Sequence, residues 1–288
     1  MVVLVLAFTS FSSAQKTAVS PGSKVNQRDA DDDQVSIVQI SDTHLGDHHA
    51  PHAAENLQQA VRMINERHPD AVILSGDIGE NPQAWDEARS ILKNLKAPLY
   101  YVPGNHDVHS KDVDRYRRVF GKDYYEFQVK FVTFVVIDSQ LLGNYDVYEA
   151  KTPPPLPSQT EEESEKMLSW MNGLQPEGAH DSKAVTIGVQ HIPVFRDGKF
   201  PDPNKPYWVV SEPYRSKEMK ALRQLGIKDM LVGHWHNGRV FEREGITWHV
   251  APSTAWLPWG GELGFAVHTI SRSGNVRTEF VDLPGALP

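Results

Sequence analysis

The sequence contains no cysteine. Disulfides and thiolate metal sites are therefore excluded, and any bound metal must be held by His, Asp, Glu or Asn. The chain also lacks an excess of positive charge: 29 Lys and Arg against 37 Asp and Glu leave a formal charge of −8. That balance argues against long-range attraction to nucleic acid or to an anionic membrane. Phosphorylated substrates stay open, because a bound dication reverses the local field. No apolar run is long enough for stable membrane insertion; "MVVLVLAFTSFSSAQ" holds roughly ten apolar residues where about 20 are needed. Its small residues around Ser12 and Ala14 instead predict a secretory signal peptide over residues 1–14, and hence a secreted or periplasmic protein. The basic residues that usually open such a signal are missing; a membrane anchor or a buried strand fits the run less well. Residues 15–34 are polar and aperiodic, and read as a disordered lead-in to a single domain over 35–288.

What is present is an alternation. Near-continuous apolar runs at 35–40, 71–75, 98–102, 131–138, 184–190 and 229–232 suit strands covered on both faces. Helical patterns fall between them at 53–67, 83–95, 110–120, 160–174 and 213–225, which makes the fold class α/β. After residue 238 the pattern becomes strands joined by turns, consistent with antiparallel β completing the domain. Two segments, "KTPPPLPSQ" and "RDGKFPDPNKPYW", are proline-rich loops.

The ends of the strands carry the chemistry. One closes on Asp42 and His44, the next on Asp77, the third on Asn105, His106 and Asp107, a later one on His191, and another on His234 and His236. Ligands of α/β sheets gather outside the carboxyl ends of parallel strands. Gly76, Gly104 and Gly233 precede three of these clusters, where a missing side chain permits a tight turn or a close approach. In an extended backbone, His234 and His236 would face one way and Trp235 the other. Each piece alone also fits a turn cap, a satisfied core histidine or a solvated strand end; five in this order do not.

The series "DTH", "GD", "GNHD", "QH" and "GHWH" resembles the calcineurin-like metallophosphoesterases over about residues 35–281. Within that family, "YYEFQVKFVTFVVIDSQ" and "VQHIPVF" are most similar to the calcineurin-like phosphoesterase-domain serine/threonine phosphatases. The resemblance implies a four-layer α/β/β/α sandwich with a dinuclear metal site at its strand ends. Asp42, His44 and His236 would bind one ion, Asn105, His191 and His234 the other, and Asp77 would bridge them. The ions would be divalent or mixed-valence Fe, Mn, Zn or Mg; a carboxylate holding two cations about 3.5–4 Å apart suits in-line attack on phosphorus. His106 would protonate the leaving oxygen or stabilise the charge building there, and Asp107 would orient its imidazole and hold its protonated form.

The implied activity is phosphoester hydrolysis, as a phosphomonoesterase on a phosphorylated small molecule or protein. The alternatives are a phosphodiesterase of cyclic nucleotides or phospholipid-type diesters and, with less support, a non-catalytic metal- or phosphate-binding module. One departure stands out. Where the protein phosphatases of this type carry G-D-x-x-D-R, this chain has "GDIGEN", with Glu80 and Asn81 in the last two places. Arg196, Lys199 or Lys205 would have to replace the lost cation, if they are not simply solvated. His48, His49 and His52 read as a polar loop. Trp256 and Trp259 fit a substrate wall or a core plug equally.

Overall fold

The computed structural model describes residues 33–108, 113–174 and 185–288. The expected signal peptide, and the lead-in up to residue 32, lie outside them. Among the described residues there are eleven strands: β1 (Gln34–Ile40), β2 (Ala71–Ser75), β3 (Leu99–Val102), β4 (Tyr125–Val129), β5 (Val132–Val136), β6 (Val185–Val189), β7 (Asp229–Val232), β8 (Arg239–Arg243), β9 (Ile246–Val250), β10 (Gly264–Ser271) and β11 (Val276–Asp282). The helices are α1 (Ala53–Arg67), α2 (Pro82–Leu92), α3 (Val113–Phe120), α4 (Ser158–Gly173) and α5 (Tyr214–Gln224).

The strands form two mixed sheets, ordered β11-β10-β1-β2-β3 and β4-β5-β6-β7-β9-β8. β1, β2 and β3 run parallel in the first, as do β5, β6, β7 and β9 in the second. Strand periodicity of two divides each apolar run between two faces. Val35 and Ile37 of β1, Ala71 and Ile73 of β2, and Val132, Phe134 and Val136 of β5 meet in one cluster between the sheets. The alternate residues Val38, Ile40, Val72, Leu74 and Val135 belong to a second cluster, which includes the apolar faces of the helices. α1 pairs with α2 and α4 with α5. The result is the four-layer α/β/β/α sandwich, with near-continuous apolar strands because both strand faces are covered.

The strand β4 escaped the sequence reading. It pairs with β5 through a turn at Lys130 and Phe131, with Val129 opposite Val132. Lys130 takes a left-handed φ of 52° there. The turn has none of the Asn-Gly or Asp-Gly chemistry that marks a two-residue hairpin. By contrast α2 starts where its sequence says it should: the Asn81 side chain accepts from the Ala84 amide at 3.0 Å, and Pro82 follows.

A buried polar chain ties the two sheets together. Gln39 donates to Ser75 Oγ (2.8 Å) and to the Val232 carbonyl in the opposite sheet (3.0 Å), while its Oε1 meets His268 Nε2 at 3.0 Å. The chain continues through Thr278 Oγ1 to His249 Nδ1 (2.7 Å), and from His249 Nε2 to Asp229 (2.9 Å).

Another buried polar group has a calculable consequence. Glu218 on α5 is fully buried, and burial pushes its carboxyl from 4.5 up to about 8, against the opposing pull of Gln190 and the Arg215 charge. A raised carboxyl pKa means stability present below the unfolded pKa and lost as pH climbs through the folded one. Glu218→Gln removes this slope. At constant metal concentration, thermal unfolding should show the variant gaining over the parent by a few kcal/mol more at pH 8 than at pH 5; an equal difference at both pH values contradicts the assignment.

Candidate metal centre

β1, β2, β3, β6 and β7 all end at one rim of the sandwich, and their trailing residues converge there. They do not arrive as extended chain. Among the described residues, eight non-glycine residues have positive φ, and five of them are Asp42 (54°), His44 (40°), Asp77 (53°), His234 (69°) and His236 (56°). Left-handed backbone costs about 1–3 kcal/mol at such positions, and Asp and His tolerate it better than most residues. The extended geometry expected for His234 and His236 is thus incorrect: β7 ends at Val232, and the two histidines stand on successive left-handed bends. Trp235 does face away. Its ring is fully buried, stacks on Phe241 and donates Nε1–H to the Trp208 carbonyl at 2.9 Å.

Two overlapping groups of donor atoms result: Asp42, His44, Asp77 and His236, and Asp77, His191 and His234. Within the first, His44 Nε2 lies 3.1 Å from His236 Nε2 and 3.7 Å from Asp77 Oδ2, and His236 Nε2 lies 3.2 Å from Asp42 Oδ1. Within the second, His191 Nε2 lies 3.1 Å from Asp77 Oδ2. Asp77 belongs to both.

Each imidazole is oriented from behind. His191 Nδ1 donates to the Ser75 carbonyl (2.7 Å), His236 Nδ1 to the Trp256 carbonyl (2.9 Å) and His234 Nε2 to the Tyr207 carbonyl (3.1 Å). A carbonyl can only accept, so that ring nitrogen carries a hydrogen, and the opposite nitrogen is the one available to a metal once deprotonated. Asp42 is oriented likewise: Oδ2 accepts from Ser41 Oγ (2.5 Å) and the His234 amide (3.1 Å). That leaves Asp42 Oδ1, Asn105 Oδ1 and His191 Nε2 buried without a hydrogen bond. Three orphaned donors on one small volume are what a bound cation would satisfy. The electrostatics agree. Burial raises the pKa of Asp42, yet His236 and His191 outweigh it and hold the group at about 2. Burial lowers His191, yet Asp77 and Asp42 push it up to about 9. Two buried ionised carboxylates draw positive charge into the site, as protons or as metal.

Two roles differ from the sequence reading. Asp107 does not serve chiefly as the orienter of His106: its Oδ1 accepts from the Ile78 amide (2.9 Å) and its Oδ2 from the Gly104 amide (2.9 Å). It braces the turns around Asp77. The residue on His106 is Glu80, whose oxygens lie 2.8 and 2.9 Å from Nδ1, and which also meets His44 Nδ1 at 3.2 Å. Burial lowers His106, but Asp77 and Glu80 together hold it up at about 10. Sequence reasoning treated Glu80 only as a departure from a motif; its position three residues after Asp77 was the available signal. Tyr207 was missed as well. Its hydroxyl accepts from Asn105 Nδ2 at 2.9 Å, while Asn105 Oδ1 is buried without a hydrogen bond.

Of the donors, Asp77, His234 and His236 line a cleft of about 770 Å³, together with Tyr148, Tyr207, Trp208, Trp256 and Trp259. His48 and His49, on the polar loop expected from the sequence, line it too; His49 stacks on Trp256 with centroids 4.9 Å apart. Among the described residues, neither lysine nor arginine lines this cleft. Lys205 instead lies over the Tyr148 ring and pairs with Glu149 at 3.2 Å.

The glycines act as the sequence suggested, by close approach. A Cβ on Gly104 would collide with the Asp77 amide and Oδ1. Gly104→Ala should therefore displace Asp77 while leaving the sheets intact. Activity is expected to fall about 100-fold, with lowered metal content and near-parental circular dichroism; full metal content and activity would contradict this.

Comparison with known proteins agrees with the geometry. The chain is 28% identical to mouse (Mus musculus) serine/threonine-protein phosphatase CPPED1 over 62% of its own length and 58% of that protein's. It is 27% identical to a probable cyclic nucleotide phosphodiesterase of Fibrobacter succinogenes, covering 76% of this chain and 80% of that one. In fold, a dimetal phosphatase from Danio rerio superposes with a TM-score of 0.67 at 14% identity, over 86% of this chain and 96% of that chain. Residues 35–238 match the family described as Calcineurin-like phosphoesterase. The chain belongs to that family of phosphoester hydrolases.

Proposed function

We propose that the chain hydrolyses phosphoesters at a dinuclear centre in which Asp42, His44 and His236 hold one ion, Asn105, His191 and His234 hold the other, and Asp77 is shared. The observation that carries this reading is the membership of Asp77 in both donor groups, beside three orphaned buried donors. Mixed N and O donors suit Fe, Mn, Zn or Mg. Ions bound there supply Lewis acidity toward phosphoryl oxygens and lower the pKa of water. The chain's own residues do the rest. Ser41, Ser75, Tyr207 and Trp256 fix the donors. Glu80 holds His106 through Nδ1, and His106 delivers a proton from Nε2 to the leaving oxygen. Asp107 keeps the Asp77 turn rigid. A binding module without catalysis has no use for His106 placed in this way.

Phosphomonoester hydrolysis is the first reading, supported by the similarity to a serine/threonine-protein phosphatase. Phosphodiester hydrolysis is the second, and one observation favours it: among the described residues, no lysine or arginine lines the cleft. Among the described residues, a dianionic monoester group would meet the ions and the cleft histidines but no lysine or arginine, whereas a singly charged diester asks less of the wall. Metal-reconstituted protein should be assayed on an aryl phosphate, its diester, nucleotides and a phosphopeptide. Asp77→Asn should abolish turnover and reduce bound metal, and His106→Gln should cost roughly 10²–10⁴-fold with metal retained. Unchanged turnover in Asp77→Asn rejects the dinuclear reading; turnover of diesters alone selects the second reading.

We also propose export, on residues 1–14 alone. Expression in a secreting host followed by N-terminal sequencing should give a mature chain starting at Gln15; an intact Met1 in the exported fraction, or none exported, rejects it.

A further inference from the structure

A second pocket, about 220 Å³, shares no residue with the metal-centre cleft. It is lined by Val194, Phe195 and Val209 together with Arg196, Arg215 and Arg243. Among the described residues, no carboxylate lines it. Among the described residues, these three arginines take part in no salt bridge. Arg223 and Arg239, by contrast, are paired with Glu244 at 2.8 Å and with Asp197 at 3.2 Å.

Two of the guanidiniums are fixed in place. Arg215 donates Nε–H to the Val210 carbonyl at 3.0 Å and lies 5.7 Å from the Phe195 ring centroid. Arg196 donates from one terminal nitrogen to the Lys205 carbonyl, while its Nε is buried and makes no hydrogen bond. Burial and the Arg215 charge together pull Arg196 below its ordinary pKa, so the like charges feel each other. Like-charged groups held among apolar side chains, with one donor unpaired, are stabilised by an anion that accepts several charge-assisted bonds at once.

We propose that the Arg196–Arg215–Arg243 pocket binds a tetrahedral oxyanion, a phosphate or sulfate group. Its volume exceeds that of the bare ion and leaves room for a short organic stem over Val194 and Val209. The site is tied to the metal centre through the chain. Arg196 anchors the start of the loop that ends at Tyr207, and Tyr207 contacts both Asn105 and His234. An occupant would brace that loop.

The test is calorimetric titration of the full-length, metal-loaded protein with sodium sulfate, against sodium chloride at equal ionic strength. Asp77→Asn serves as the variant with a disabled metal centre. Saturable sulfate binding is expected in the parent and in Asp77→Asn. It should weaken about tenfold or more in Arg243→Gln, whose side chain is exposed on β8, and in Arg196→Gln. A parallel arm compares inorganic phosphate with O-phosphoserine: tighter phosphoserine binding assigns a phosphate carried on a larger molecule, and its absence assigns the free ion. No saturable sulfate binding above the chloride control overturns the proposal. So does an affinity unchanged in both arginine variants.

Discussion

The position of one buried carboxylate constrains the rest of this protein. Asp77 is almost wholly inaccessible, with Oδ1 on the His106 amide at 2.9 Å and Oδ2 against His191 at 3.1 Å and His44 at 3.7 Å. An ionised carboxylate at that depth is tolerable only among positive charge and N–H donors. The neighbouring chain is shaped to provide them. Gly104 has no side chain because one would occupy the place of the Asp77 amide, and a Cβ on Gly76 would strike His191. Asp107, itself buried, gathers the amides of Ile78 and Gly104 and so clamps the turns on both sides. Burial and the Asp77 charge push Asp107 up to about 7, against the pull of those same amides. A second acid this close is held by backbone donors, not by a second cation.

Local strain at the rim follows from the same requirement. Strands deliver side chains to alternate faces, so donors from five strands can point into one volume only if the chain turns sharply after each strand. Left-handed residues do this after β1, β2 and β7, and loop-to-loop bonds hold the rim: His44 N to the Asp77 carbonyl (3.0 Å), Gly233 N to the His191 carbonyl (2.9 Å) and Thr254 N to the Ser41 carbonyl (3.3 Å). The energy comes from the two apolar layers below and from the Gln39–His268–Thr278–His249 chain, which locks one sheet to the other beneath the site. Gln39 grips the Val232 carbonyl, one residue before the turn that carries His234.

This division explains what could be read from the sequence. Apolar periodicity gave the strands and helices, because burial on both faces leaves a continuous signal in runs such as Ala71–Ser75. It missed β4, whose residues alternate in burial and whose turn lacks a marker. The candidate donors were visible because they sit at strand ends in a recognisable order. Their backbone was not: an i, i+2 pair looks the same whether extended or left-handed. Nor were the supporting partners. Asp107 is adjacent to His106 in sequence but bonds backwards to amides, whereas Glu80, twenty-six residues away, reaches the imidazole. Adjacency along the chain says little about which way a carboxylate turns; that is decided by which buried amides would otherwise go unpaired.

The cleft joins two unlike surfaces. Its base gathers carboxylates and imidazoles, and its walls are aromatic, with His49 on Trp256 and Trp208 against Trp259 at 5.3 Å. On the proposed reading, strong attraction for the phosphoryl group comes from the base, because among the described residues no lysine or arginine lines the wall. The phosphoryl group is common to every candidate substrate, so attraction at the base cannot discriminate among them. Discrimination then falls to contacts with the organic part, which meets flat rings of modest polarity. Such rings reward planar or apolar groups through area and stacking, and offer little to the flexible polar backbone of a peptide. In this arrangement the metal centre sets which bond is broken, and the tryptophan and tyrosine wall sets whose bond it is.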